Sequence, residues 1–305
     1  MTPIPIILAL DRAYLLPTAV TIFSILKNHP KTQFRIYLII GESNSDWLQP
    51  LEEMASKMGS ELVIKLVNVE ILSGLKLGMH FTVPTYFRLL APNLIEESKV
   101  IYLDTDVLIH GDLTELWETD MGDYPVAAVA DPLRDDFHRL GLTKETGYFN
   151  AGVMIFQLDL WRKLNLGNAS IDYVIAFSEK ISFADQDGLN ATLKGNWLRL
   201  HPKWNVQSSL LEKSAYDKAM VYFSEEELAE ASDKPRIIHF TGNPKPWNIG
   251  CKNHFKSLYW DYLRQTPFSR SLPLDFTIRK AFVSLVPLKI RKKYWRYVAT
   301  KKAKS

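Results

Sequence analysis

The sequence predicts an α/β fold in which helices cover both faces of a central sheet. Three observations support this class. Apolar runs of about four to eight residues alternate with segments whose apolar residues recur at helical spacing. The 305 residues are 47% hydrophobic and 23% charged, an ordinary globular composition that excludes disordered, collagen-like and coiled-coil classes. Several polar motifs directly follow apolar runs, which is where open α/β sheets present ligands.

The predicted elements alternate as far as residue 263. Strands are predicted at residues 5–10, 34–40, 62–69, 100–109, 126–130, 152–156 and 236–240. Helices are predicted at residues 16–28, 46–58, around 86–90, 187–193 and 255–263. The first helix should end before Pro30, because proline disfavours helical backbone in the residue that precedes it. The second should end at Gly59.

The pattern predicts one catalytic domain at residues 1–265, followed by a basic tail at residues 266–305. Pro267 and Pro273 mark the junction. Ten of the 37 basic residues lie in residues 276–305, which contain no acidic residue, so the 34 acidic residues outnumber the basic ones elsewhere. An acidic body argues against nucleic-acid binding. Basic residues mixed with Tyr294, Trp295 and Tyr297 favour contact with an anionic membrane surface, although a solvated tail is the alternative.

Other whole-chain features indicate a cytoplasmic protein. The single cysteine, Cys251, excludes an intrachain disulfide framework and a cysteine-rich zinc site. The longest apolar runs are far shorter than the ~18–20 residues of a membrane-spanning helix, and no basic leader precedes the first strand. The glycine-rich nucleotide loops are also missing, so a bound nucleotide would need another group to neutralise its phosphates.

The most informative motif is Asp104-Thr105-Asp106, within the predicted strand 100–109. Residues two apart on a strand face the same side, about 6.6 Å apart, so both carboxylates could converge on one divalent cation. A strand that simply ends there, with two aspartates in turn contacts, is the alternative.

A second motif follows the predicted strand 236–240. His239 is available as a third metal ligand, Gly242 permits close backbone approach, and Lys245 supplies a point charge suited to phosphate. Two carboxylates, one imidazole and phosphate oxygens would suit manganese better than calcium or structural zinc. A structural histidine beside a proline-rich turn is the alternative.

Three further polar segments are candidates for ligand binding. Asp185-Gln186-Asp187 stands at a predicted helix start, where acidic residues also serve as capping groups. Residues 148–152 form a polar turn before a predicted strand. Asp11 and Tyr14 directly follow the first strand.

Taken together and in this order, the four motifs at residues 102–106, 148–152, 185–187 and 239–247 resemble those of family 8 glycosyltransferases. The resemblance runs from about residue 6 to 263. It is strongest to the bacterial lipopolysaccharide α-galactosyl- and α-glucosyltransferases, with glycogenin a more distant relative. It implies a GT-A fold, in which one nucleotide-binding domain has a mixed central sheet flanked by helices. It also implies a UDP-sugar donor, manganese (or magnesium in its place) and retention of anomeric configuration.

The resemblance also assigns roles to individual positions. The implied metal ligands are Asp104, Asp106 and His239; the implied nucleotide and diphosphate contacts are Ala9, Asp11, Tyr14, Gly242 and Lys245; the implied donor-sugar contacts are Arg88, Asp131, Asn150, Asp185 and Gln186, the last two also being the catalytic candidates; and His80 is implied near the acceptor. One departure is Ala13, which stands where relatives have asparagine and puts a ribose or phosphate contact in doubt.

These implications define the expected function. The chain should move galactose or glucose from a UDP-sugar to a saccharide acceptor such as lipopolysaccharide or another glycolipid, with the basic tail at the inner face of the cytoplasmic membrane. The alternatives are a non-catalytic UDP-sugar-binding module at the membrane surface and a UDP-sugar hydrolase.

Overall fold

A computed structural model describes residues 2–75, 82–207, 210, 213–278 and 280. Its strands are β1 (Ile4–Ala9), β2 (Phe34–Ile40), β3 (Glu61–Leu66), β4 (Lys99–Leu103), β5 (Val107–Ile109), β6 (Val126–Ala130), β7 (Phe149–Gln157), β8 (Leu198–Arg199), β9 (Val206–Gln207) and β10 (Ile237–His239). Its α-helices are α1 (Leu15–Asn28), α2 (Gln49–Lys57), α3 (Ala91–Leu94), α4 (Leu113–Trp117), α5 (Leu158–Leu164), α6 (Leu166–Ala176), α7 (Ala184–Leu193), α8 (Lys213–Ala219), α9 (Glu225–Asp233) and α10 (Lys256–Leu263). Residues 83–90 form a 3-10 helix.

Two sheets make up the core. The larger has the order β3-β2-β1-β4-β7-β6-β8, in which β1 to β4 run parallel and β7 is antiparallel to both of its neighbours. The smaller has the order β5-β10-β9. Every residue of β1 and β6 is buried, as expected for strands covered on both faces. The predicted α/β fold with a mixed central sheet flanked by helices is therefore confirmed.

Most predicted strands agree with the structure to within a few residues, and 34–40 and 126–130 agree at both ends. The single strand predicted at 100–109 is wrong. β4 ends at Leu103, the chain turns through residues 104–106, and β5 begins at Val107 in the other sheet, antiparallel to β10. Apolar periodicity could not reveal that the two halves belong to different sheets, because the residues of β5 and all but the first of β4 are buried and each half has the pattern of a covered strand.

Residues beyond the predicted domain boundary at 265 still contact the domain. Thr266 is buried, Phe268 packs against the core, and the backbone N–H of Leu274 donates to the carbonyl of Trp247 at 3.0 Å. The boundary stays a prediction, and residues 281–305 of the predicted tail lie outside the described residues. Among the helices that are described, none has both the length and the apolar character needed to cross a bilayer.

Candidate active site

A cavity of about 490 Å³ opens where several strands end. It lies at the carboxyl ends of β1, β4, β6 and β10 and at the amino end of β7, and its lining comes from within residues 9–14, 82–88, 102–106, 131–134, 150–151, 183–186, 207 and 239–245. Every site residue predicted from the sequence lines this cavity, except His80, which falls outside the described residues.

Three of the lining side chains form a cluster that could hold a metal ion. One ligand atom from each of Asp104, Asp106 and His239 lies within 4.8 Å of the other two. His239 Nε2 is 3.2 Å from Asp106 Oδ1 and 3.8 Å from Asp104 Oδ2. The aspartates converge because the chain turns between β4 and β5, whereas the sequence argument relied on one continuous strand.

Lys245 faces the same cluster from the loop after β10. Its ammonium donates to Asp106 Oδ2 at 2.5 Å and to the carbonyl of Phe240 at 2.7 Å. Although burial alone would raise the pKa of the Asp106 carboxyl, Lys245 and His239 hold that pKa below its usual value. Burial alone would lower the pKa of Lys245, but Asp106 raises it. Both groups are therefore charged at neutral pH.

Arg88 links the cluster to Asp185, another residue of the cavity wall. This buried guanidinium contacts Asp104 Oδ1 at 3.0 Å and Asp185 Oδ2 at 2.7 Å, and it stacks over the ring of Tyr102 at 4.4 Å. Asp185 also accepts a hydrogen bond of 2.7 Å from the hydroxyl of Thr85. Burial raises the pKa of Asp185 to about 6, even though Arg88 and Thr85 act to lower it.

A second polar group lies at the ends of β6, β7 and α7. Gln186 Oε1 accepts from the backbone N–H of Ala151 at 2.9 Å, and its Nε2 donates to the hydroxyl of Tyr148 at 3.1 Å and to Asp131 at 3.4 Å. Asn150 also donates to Asp131, at 3.4 Å. Burial raises the pKa of Asp131. The carboxamide of Gln186 is thus held by three hydrogen bonds.

Asp187, the remaining acid of the 185–187 motif, has a structural role. Its side chain is fully buried and is not part of the cavity wall. It accepts hydrogen bonds of 2.7 Å from the backbone N–H groups of Ser182 and Phe183, one of 2.7 Å from Tyr148 and one of 2.8 Å from Arg139. The capping interpretation therefore holds for Asp187, while Asp185 and Gln186 face the cavity.

The positions expected to bind the nucleotide also line the cavity. Asp11 accepts from the backbone N–H of Ala13 at 3.0 Å and so caps a short 3-10 turn. Tyr14 packs edge-on against Trp247, with ring centroids 6.0 Å apart. Ala13 itself is exposed and does not line the cavity. Gly242 has a φ of +74°, a left-handed conformation that favours glycine.

Sequence reasoning missed Asn205, which orients the predicted histidine ligand. Asn205 Oδ1 lies 2.9 Å from His239 Nδ1, and its Nδ2 donates to Asn150 Oδ1 at 2.9 Å. Because an amide oxygen can only accept, His239 Nδ1 must carry a proton, and Nε2 is the ring nitrogen that faces the two aspartates. The available signal was a polar residue between the buried Trp204 and Val206.

Gly152 permits the close approach of β7 to the cluster. A Cβ atom at this position would lie 2.2 Å from His239 Cε1, 2.8 Å from His239 Nδ1 and 2.9 Å from Asp104 Oδ2. The backbone also contributes, because the N–H of Asp104 donates to the carbonyl of Gly152 at 2.7 Å. The sequence drew attention to this glycine only as part of a motif, and its steric role follows from the fold.

Several known proteins are similar to this chain in sequence. General stress protein A of Bacillus subtilis is 30% identical over 243 residues, which cover 78% of this chain and 84% of that protein. Lipopolysaccharide 1,2-glucosyltransferase of Escherichia coli is 28% identical over 262 residues, covering 82% and 76%. Glycosyltransferase GlyF of Streptococcus pneumoniae is 26% identical over 258 residues, covering 84% of this chain but only 60% of its own length, and several other streptococcal relatives are also matched over only part of their length.

Solved structures share the architecture. Galactosyltransferase LgtC, solved in complex with donor and acceptor sugar analogs, superposes with a TM-score of 0.78 over 89% of this chain and 98% of its own, at 24% identity. The fold is therefore GT-A. The sequence profile described as Glycosyl transferase family 8 matches residues 5–251. The chain is accordingly a glycosyltransferase, and it belongs to glycosyl transferase family 8.

Proposed function

We propose that the protein is a retaining enzyme that moves galactose or glucose from a UDP-sugar to a saccharide acceptor, with lipopolysaccharide or another glycolipid as the acceptor class. The observation that carries this proposal is the convergence of Asp104, Asp106 and His239 with Lys245 in one cavity. A cation and an ammonium group together would provide positive charge, which stabilises the negative charge that a diphosphate leaving group acquires. The similarity to a lipopolysaccharide 1,2-glucosyltransferase and to LgtC, which was solved with donor and acceptor sugar analogs, supports a sugar donor and a saccharide acceptor.

The residues of the cluster fit a manganese ion. Two carboxylate ligands and one imidazole, with its proton directed to Asn205, form the mixed oxygen and nitrogen set that manganese accepts. When bound, the cation would supply positive charge that stabilises the diphosphate as the bond to the sugar breaks. Lys245 supplies a second positive charge in the same place, already fixed by its contacts with Asp106 and Phe240.

The positions of the carboxylates favour front-face attack over a covalent glycosyl-enzyme. A covalent route needs a carboxylate free to act as a nucleophile. Asp185 is paired with Arg88, and Asp187 is buried with its oxygens engaged. Gln186, a neutral amide held at the cavity wall, would steady positive charge on the sugar, and the departing phosphate oxygen would help to deprotonate the acceptor hydroxyl.

An assay of UDP release across a panel of UDP-sugars tests this proposal. We expect release from UDP-galactose or UDP-glucose that needs manganese and increases severalfold when a suitable saccharide acceptor is added. The dependence on manganese follows from the charge that the leaving UDP must carry. Nucleotide binding with no release from any donor would support the non-catalytic alternative. Full release without an acceptor would support the hydrolase.

We also propose that the C-terminal region holds the enzyme at an anionic membrane surface on the cytoplasmic face. Four apolar side chains approaching residue 280 are well exposed: Leu272, Leu274, Phe276 and Ile278. They lead directly into the basic, aromatic sequence of residues 279–305. Apolar side chains next to basic ones suit an anionic bilayer surface.

Liposome sedimentation tests this location. Full-length protein should bind vesicles that contain anionic lipid and lose most of that binding in high salt. A chain ending at Lys280 keeps all the described contacts with the domain and the four exposed apolar side chains. It should nevertheless lose most of the binding, because it lacks eight of the ten basic residues of the region 276–305. Equal binding of the shortened chain would show that the tail is not the anchor.

A further inference from the structure

Gln207 carries an unused hydrogen-bond donor in the wall of the cavity. The side chain is 2% exposed, lines the cavity, and its Nε2 has no hydrogen-bond partner within the described part of the chain. The neighbouring amides Asn150, Asn205 and Gln186 all donate to other protein groups. An unpaired buried amide donor costs about 1–3 kcal/mol, so its retention at a substrate cavity needs a reason.

The sheet places Gln207 directly beside the cation cluster. In the parallel pairing of β9 with β10, Gln207 is the register partner of His239, so their side chains lie on the same face of the sheet. Gln207 also follows Asn205 by two residues, and Asn205 bridges His239 to Asn150. Gln207 therefore lines the cavity beside His239, one of the three residues of the cluster.

We infer that Gln207 Nε2 donates a hydrogen bond to a hydroxyl oxygen of a saccharide bound in this cavity. The inference rests on the proposed function and adds a residue that selects its substrate. The proposed partners of the diphosphate are the ammonium of Lys245 and a cation held by Asp104, Asp106 and His239. A neutral amide donor is better suited to a neutral hydroxyl group. A site built around a hydroxyl rejects analogues that lack it, because the buried donor is then left unpaired.

Gln207→Met tests this inference, because methionine has a similar length and volume but no donor. We expect turnover efficiency with the UDP-sugar and its acceptor to fall about 5- to 30-fold, the loss of one buried hydrogen bond. The affinity for UDP alone should not change, since UDP has no transferred sugar. The melting temperature should stay the same or rise, because the substitution removes an unpaired buried donor.

Gln157→Met is the matched control. Gln157 ends β7 and donates to the carbonyls of Gly122 at 2.7 Å and Tyr124 at 3.0 Å, away from the cavity. Its replacement should lower the melting temperature and leave the KM of the UDP-sugar unchanged. Gln207→Met is thus expected to change the kinetics but not lower the melting temperature, whereas Gln157→Met is expected to lower the melting temperature but not change the KM.

The kinetic constants identify which saccharide Gln207 binds. A higher KM for the UDP-sugar, with slower donor hydrolysis, assigns the contact to the transferred sugar, and a higher KM for the acceptor assigns it to the attacking saccharide. Unchanged kinetics, a parallel loss of UDP affinity, or a marked fall in melting temperature would each overturn the inference. If the wild-type protein releases UDP from no donor, the proposed function is wrong and this inference falls with it.

Discussion

Replacing Asp106 with asparagine should reduce manganese-dependent UDP release about 1000-fold. Asp106 is within reach of His239 Nε2 and Lys245 Nζ at once, so the substitution removes a proposed metal ligand and the carboxylate that fixes the lysine. Metal and ammonium charge at a leaving group is worth several kcal/mol in the transition state, and about 4 kcal/mol corresponds to this loss. Initial rates at saturating UDP-sugar and calorimetric titration with manganese measure both effects.

The control for Asp106→Asn is Asp135→Asn. Asp135 is an exposed aspartate whose 2.8 Å ion pair with Lys218 lies at the surface, where such pairs contribute little. That variant should keep wild-type rates and manganese affinity. If Asp106→Asn stays folded and retains more than about a tenth of the wild-type rate, the cluster is not the metal site and the proposed mechanism fails.

Replacing Gly152 with alanine should disable the site without removing any polar group. The added methyl would stand 2.2 Å from His239 Cε1 and 2.9 Å from Asp104 Oδ2, so the histidine, the aspartate or the strand must move. Displacement by about 1 Å can cost 100-fold in rate, and overpacking of this kind costs about 1–3 kcal/mol in unfolding free energy. We expect at least that loss of rate, together with weaker manganese binding and a lower melting temperature.

Gly250→Ala is the matched control for this steric prediction. Apart from its own chain neighbours, no atom of the described residues lies within 4 Å of the Cβ that alanine would add at Gly250, and its φ is not in the left-handed region. Rate, manganese affinity and melting temperature should all stay close to wild type. Unimpaired manganese binding in Gly152→Ala would mean that the cation is held elsewhere in the cavity.

Local pattern was sufficient to predict most of the sheet. The runs at 34–40 and 126–130 match β2 and β6, because a strand covered on both faces must be apolar at nearly every position. The same rule failed at residues 100–109. Burial alone cannot distinguish one long strand from two short ones in different sheets, and the polar Asp104-Thr105-Asp106 segment marks the break.

The site, like the sheet, could be predicted from the sequence only in part. The sequence alone singled out Asp104, Asp106, His239 and Lys245 as polar side chains in or after apolar strands. The resemblance to the family then assigned them their expected roles. The tertiary structure decided how these groups meet, since Lys245 and Asp106 are in contact although they are 139 positions apart. It also placed Asn205 against His239 Nδ1 and Gln207 in register with His239, and neither position follows from local sequence. Short-range apolar periodicity records how deeply a residue is buried and carries no information about which distant strand lies beside it.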